Sequence, residues 1–204
     1  MSNFQKRFLV SLTAFPLIYL LLFIPIAFNF LIFIFFFACI YEWTKIFKKK
    51  NILYFSGIIV FFIFLILSIK IYNLKIFNLN FLWLIIIAWL TDIGGYVFGK
   101  TFGGPKLTKI SPNKTWSGAF GSFLLSQFAF LIFFLEPSYK FETNIFIIQL
   151  FLSLVGQLGD LLMSYIKRKN FIKDSSNLIP GHGGFLDRLD GLIWIVIFGS
   201  VFFL

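Results

Sequence analysis

The chain has 204 residues, 59% hydrophobic and only 13% charged, with a formal net charge of +10. A soluble domain averages about 45–50% apolar and about 25% charged residues, so the composition excludes a water-soluble globular protein and predicts an all-α, polytopic membrane protein. The basic excess would suggest nucleic acid in a soluble chain; here the charges follow membrane topology, and no nucleic-acid partner is expected.

Seven apolar segments follow in order, at about 8–24, 26–40, 52–69, 76–98, 117–135, 144–166 and 190–204. A helical span takes about 20 residues. Residues 8–40 are too long for one span, so Pro25 with Asn29 predicts a turn between two helices, and Pro16 predicts a kink in the first. No small-x-small cleavage site follows the first run, so it is expected to stay attached. The lone Cys39 sits in an apolar run, which excludes an intrachain disulfide and predicts a small buried residue. No repeat or linker divides the chain, and one membrane-embedded domain over 1–204 is expected.

With the N-terminus in the cytoplasm, the inner segments hold 15 of the 18 Lys and Arg. Only Lys70, Lys75 and Lys140 fall outside, as the positive-inside rule expects. Anionic lipid contact is a secondary use for the inner cations.

Two acids interrupt apolar segments: Asp92 in WLTDIGGY and Asp160 in GQLGDLLMSY. A carboxylate near the bilayer centre costs about 2.5–3.5 kcal/mol, so intramembrane acids mark function by default. Topology puts both toward the cytoplasmic ends of their helices. Asp187 and Asp190 open the last segment from the same side, spaced i, i+3 on one helical face. The four acids are expected to converge on a polar cavity at the cytoplasmic side. Asp160, Asp187 and Asp190 offer hard oxygens suited to Mg²⁺, and the absence of a Cys/His cluster argues against zinc. Structural readings stay open beside these. Asp187 and Asp190 suit a helix N-terminus, Asp160 suits pairing with Lys167 or Arg168, and Asp92 suits a contact between helices.

The loop Pro180-Gly181-His182-Gly183-Gly184 lets backbone N–H groups approach phosphate oxygens. With Lys167, Arg168, Lys173 and Arg188 nearby it suits a triphosphate; its structural alternative is a sharp turn. His182 suits a phosphate or base contact, or a locked turn, and needs no general-base role because a phosphate monoester is already ionised near neutral pH. The loop at 100–121 repeats the ingredients with Gly103, Gly104, Ser111, Lys114, Thr115 and Ser117. Its alternative is a basic interfacial loop. Neither is a Walker A loop.

Ser164-x-x-Lys167-Arg168, then Lys173-Asp174, then Pro180-x-His182-Gly183-Gly184-x-x-Asp187-Arg188-x-Asp190 resembles the signature of phosphatidate cytidylyltransferases, the CDP-diacylglycerol synthases. Asp92, Gly99, Ser111-Pro112, Lys114-Thr115-Trp116 and Gly118 are similar to an earlier region of that family, and Glu42-Trp43 is similar too. Two departures stand out: Ser117 replaces the usual Glu, and the middle of the chain is short. The resemblance implies a multi-pass enzyme of the bacterial inner membrane that joins CTP and phosphatidate into CDP-diacylglycerol and pyrophosphate. It implies Asp160, Asp187 and Asp190 as ligands of Mg²⁺, with K⁺ a candidate second cation. It implies Lys167, Arg168, Lys173, Asp174, His182 and Arg188 as catalytic groups. The nucleotide side would be Asp92, Ser111, Lys114, Thr115, Ser164, Gly183 and Gly184, and a homodimer is a candidate assembly. The competing readings are a CTP-dependent polyprenol kinase, a cytidylyltransferase for another lipid phosphate, and an ion or proton transporter using Asp92 and Asp160. Transport does not explain the PGHGG loop or the Asp187/Asp190 pair.

Overall fold

A computed structural model describes residues 24–47, 49–74, 79–135, 144–178 and 183–204. Six helices carry the described chain: α1 Pro25–Ile46, α2 Ile52–Tyr72, α3 Leu79–Phe102, α4 Trp116–Ser126, α5 Ile145–Lys169 and α6 Leu186–Gly199. A 3₁₀ segment, Gln127–Leu135, continues α4, and a short one, Ser200–Phe202, continues α6. Among the described residues, five helices are long and apolar enough to cross a membrane: α1, α2, α3, α4 with its 3₁₀ extension, and α5. Five of the seven expected segments meet that measure. The segment at 8–24, with Pro16, lies outside the described residues. α6 has 14 residues, about 21 Å at 1.5 Å each, against about 30 Å of hydrocarbon.

Helix ends follow local chemistry more than hydropathy. Pro25 takes the first helical position of α1, where its missing N–H costs nothing. Asn29, expected in the turn, lies inside α1. α1, α3 and α5 all run past their apolar stretches into charged last turns, ending with Lys45, Lys100 and Lys167–Lys169. Cations there suit the negative end of the helix dipole.

The chain divides into two compact units. The first comprises Met1–Asn78 with Lys167–Leu189. In it α1 and α2 form an antiparallel pair closed by aromatics. Phe28 stacks on Tyr72 with centroids 3.7 Å apart, and Trp43 meets Phe61 edge-on at 5.4 Å. The Trp43 indole N–H donates to the Tyr54 carbonyl at 2.9 Å. Its ring fills the space a side chain at residue 57 would need, which is why Gly57 stands there. Cys39 is buried on α1, 2% exposed.

The second unit comprises Leu79–Ile166 with Asp190–Leu204. Its seam is the contact of α3 with α4, where Gly94, Gly95 and Gly99 face Gly118 and Gly121. A Cβ on Gly94 would run into the Gly121 carbonyl, and one on Gly118 would lie 2.7 Å from the Gly95 carbonyl. In a bilayer the hydrophobic effect does not drive helices together, so close backbone approach through small residues replaces it. A buried polar chain ties in α5: Thr91 Oγ1 donates to Ser153 Oγ at 2.9 Å, and Ser122 Oγ donates to the Thr91 carbonyl at 2.7 Å. The glycine seam fixes both ends of the loop between α3 and α4, which carries Ser111, Lys114 and Thr115.

Candidate functional site

In the first unit the candidate residues gather around Asp187, in the first turn of α6. Its Oδ1 accepts a hydrogen bond from Lys167 Nζ at 2.6 Å. Its Oδ2 accepts from the Ser175 N–H at 2.9 Å and the Gly184 N–H at 3.0 Å, and the Ser175 hydroxyl, shared with a second carboxylate, lies 3.0 Å from it. The Lys167 and Asp187 side chains are 9% and 10% exposed. Burial pushes the Asp187 pKa up; the Lys167 hydrogen bond and charge, with the Gly184 and Ser175 N–H groups, outweigh it and hold the carboxyl below its usual range. Asp187 is therefore an anion at neutral pH.

The glycines before it serve this carboxylate. Gly183 has φ +85, a left-handed conformation that favours glycine. Gly184 gives its N–H to Asp187. A Cβ on Gly184 would collide with Ser175 Oγ and with the carboxylate of Glu42. Pro180, Gly181 and His182 lie outside the described residues.

Sequence reasoning paired Glu42 with Trp43 but gave it no role. It is fully buried on α1. Its carboxylate accepts from Ser175 Oγ at 2.7 Å, Ser176 Oγ at 2.6 Å, the Phe185 N–H at 2.9 Å and the Leu186 N–H at 2.8 Å. The available signal was an acid within an apolar helix, the same signal that singled out Asp92 and Asp160.

The other cations of this segment are exposed. Arg168 Nη1 donates to the Ile172 carbonyl at 3.0 Å, and Lys173, Asp174 and Arg188 stand in solvent-facing positions. Between them α5 ends in a Schellman motif: the Phe171 N–H bonds the Arg168 carbonyl and the Ile172 N–H bonds the Lys167 carbonyl, each at 3.0 Å. The left-handed position of that motif, usually glycine, holds Phe171 at φ 60, with its ring 98% exposed. A left-handed non-glycine residue costs about 1–2 kcal/mol, partly offset by the lower unfolded-state entropy of a non-glycine residue, about 0.4–1 kcal/mol. Phe171→Gly should therefore raise stability by about 0.5–1 kcal/mol, read as a higher unfolding temperature in detergent; a lower one would show that the ring makes a stabilising contact.

In the second unit Lys114 pairs with Asp160, their side chains 27% and 29% exposed, and Ser164 Oγ donates to Asp160 Oδ1 at 3.4 Å. The structural partner expected for Asp160 was Lys167 or Arg168. Its partner is Lys114, and Lys167 bonds Asp187. The loop delivers Lys114 by folding back on itself. Gly103 and Gly104 take φ +58 and +100, the Leu107 N–H bonds the Lys114 carbonyl at 2.8 Å, and the Trp116 N–H bonds the Pro105 carbonyl at 3.1 Å. Thr115 caps α4, its Oγ1 accepting from the Gly118 N–H at 3.1 Å, and Ser117 Oγ donates to the Gly103 carbonyl. Ser111 closes the turn, its carbonyl accepting from the Lys114 N–H at 3.0 Å. Thus Thr115, Ser117 and Ser111 shape the loop, and Lys114 is the side chain it presents. Asp92 lies on an exposed face of α3, and Asp190 Oδ1 accepts from the Gly191 N–H at 2.9 Å.

Among the described residues no three Asp, Glu, His or Cys side chains gather closely enough to hold a metal ion by themselves. The expected metal ligands Asp187 and the pair Asp160 and Asp190 belong to different compact units. Mg²⁺ does not demand three, since it usually takes one or two carboxylates with substrate phosphates and water. A cavity of about 640 Å³ in the first unit is lined by Phe47, Lys50, Ile52, Phe55, Lys169 and Asn170 among others; none of the candidate site residues lines it.

Comparison with known proteins adds a family. Residues 52–204 match the model described as "Cytidylyltransferase family". A protein of Brucella suis named phosphatidate cytidylyltransferase is 42% identical over 121 residues, covering 57% of this chain and 45% of its own length. Its namesake in Rickettsia bellii is 48% identical over 123 residues, covering 54% and 53%, and that of Bacillus subtilis 41% over 133, covering 64% and 49%. The chain spans about half the length of the curated relatives it matches.

Proposed function

The chain belongs to the cytidylyltransferase family, and from that premise we propose that it is a phosphatidate cytidylyltransferase of the bacterial inner membrane. It would join CTP and phosphatidate to give CDP-diacylglycerol and pyrophosphate. The name carried by the Brucella, Rickettsia and Bacillus relatives supports this substrate pair. The observation that carries the reading is the buried Lys167–Asp187 pair. Removing two charges from water is costly and weak as a stabiliser, so a framework of Ser175 and Gly184 built to keep this pair fixed points to chemistry.

The reaction follows from the charges. A phosphatidate oxygen, already ionised near neutral pH, attacks the α-phosphorus of CTP. The new P–O bond forms as the bridging bond to the β-phosphate breaks, and pyrophosphate leaves with the electron pair. No base is required. What is required is cationic charge around the transferring group and the leaving group. Lys114 and Lys167 would supply it, and the exposed Arg168, Lys173 and Arg188 would draw in the triphosphate. The donor chemistry of Asp160, Asp187 and Asp190, carboxylate oxygens without thiols, fits Mg²⁺; bound there, the ion would neutralise charge on the phosphates. K⁺ is a candidate second cation, and a homodimer a candidate assembly. The uneven split of the 18 Lys and Arg between alternate loops supports a cytoplasmic N-terminus by the positive-inside rule, which would put the lipid headgroup and CTP on the same side.

The test is turnover by purified protein in lipid micelles, with labelled CTP, phosphatidate and Mg²⁺. A lipid-soluble cytidine product is expected, and none when phosphatidate is omitted. Lys114→Ala should raise the KM for CTP by about tenfold, the loss of about one charge-assisted hydrogen bond. Product only with a polyprenol or another lipid phosphate would replace phosphatidate as the substrate.

A further inference from the structure

We propose that Glu42 is a positioning residue for Asp187, and this rests on the reading of Asp187 as a reaction carboxylate. Glu42 belongs to α1, while its four donors belong to the segment 175–186, between 133 and 144 residues away. Two of those donors, the Phe185 and Leu186 N–H groups, are the orphan amides of the α6 N-terminus. Such amides are normally capped by a side chain within a few residues. Here the cap is supplied from another helix. It ties the start of α6, and with it Asp187 one residue further on, to the rigid aromatic pair of α1 and α2.

Ser175 links the two acids directly. Its hydroxyl lies 2.7 Å from Glu42 Oε2 and 3.0 Å from Asp187 Oδ2, and its backbone N–H also bonds Asp187. Gly184 lies against the Glu42 carboxylate with no room for a Cβ, and gives its N–H to Asp187. A shift of Glu42 therefore moves two of the groups that hold Asp187 in place.

The arrangement requires a carboxylate. Each oxygen of Glu42 accepts from one serine hydroxyl and one backbone N–H. In Glu42→Gln one of those oxygens becomes an NH₂ facing a backbone N–H. A hydroxyl can rotate to accept; a backbone amide cannot. The substitution keeps shape and volume and removes only acceptor capacity.

The experiment compares wild type, Glu42→Gln and Ser176→Ala as full chains in detergent, with two readouts. The first is hydrogen exchange over residues 183–189 without metal or substrate. Exchange there should accelerate at least about tenfold in Glu42→Gln while α2 stays protected. The second is the Mg²⁺ concentration for half-maximal turnover. It should rise about tenfold, within the 10–100-fold range typical when groups orienting a metal ligand are lost. Ser176→Ala removes one of the four donors, leaves the carboxylate, and should give both changes at smaller size; it decides the matter if Glu42→Gln does not fold. Unchanged exchange over 183–189 overturns the tether. A fall in kcat at an unchanged Mg²⁺ requirement assigns Glu42 to folding alone and overturns the positioning role. Exchange that changes as expected in a protein that makes no cytidine lipid at all upholds the tether and removes the proposed reaction instead.

Discussion

Lys167→Met should destabilise the protein by about 3–5 kcal/mol, because it leaves the Asp187 carboxylate buried without its cation. Methionine keeps most of the lysine stem, so packing changes little and the loss reads the charge. Both partners are about one-tenth exposed, which separates this pair from surface ion pairs worth about 0–1 kcal/mol. Denaturant unfolding in detergent measures the effect. The pH dependence has a defined sign. The folded pKa of Asp187 is depressed, so its contribution is complete above the ordinary carboxylate pKa of about 4 and is lost as pH falls through the lower folded value. In Lys167→Met burial is no longer offset by the lysine and raises the Asp187 pKa, so the gap between wild type and variant should be largest where the variant's carboxyl is ionised and narrow as pH falls and that carboxyl takes up a proton. A loss under 1 kcal/mol would mean that water reaches the pair. Combining Lys167→Met with Asp187→Asn should recover part of the loss, since contacting residues are not additive.

Asp187→Asn alone should lower turnover at least about a hundredfold while the protein stays in the membrane. Changes merely beside a metal ligand cost about 10–100-fold, and this one alters the proposed ligand itself. Asparagine is isosteric but cannot satisfy the site. Its NH₂ must face either the Lys167 ammonium or the Ser175 and Gly184 N–H donors, and both choices set donor against donor. Turnover within tenfold of wild type would remove Asp187 from the reaction.

The helices were legible because a bilayer demands long apolar runs, and Ile52–Tyr72 and Ile145–Lys169 lie close to their sequence-predicted segments. Their ends were less legible, since α1 extends through Glu42 and Lys45, beyond where hydropathy stops. The candidate acids were legible one at a time. Their partners were not, because partner choice is decided by loop closure. Lys114 reaches Asp160 only after Gly103 and Gly104 turn the chain, and no spacing rule encodes that. The tethering by Glu42 was hidden for the same reason, its donors lying more than 130 residues away. Asp187 accepts the Gly184 N–H just before α6 and also holds Lys167, a partner twenty residues away that no local pattern indicated.

Cys39, the chain's one thiol and 2% exposed on α1, turns the natural sequence into its own labelling background. In the folded protein it is shielded from aqueous maleimides, so a single cysteine introduced at exposed Lys109 would carry the label alone and report which face of a vesicle the α3–α4 loop occupies. In the unmodified chain the same shielding makes thiol reactivity a clock for opening of the α1–α2 pair, measurable in a native bilayer where calorimetry is difficult.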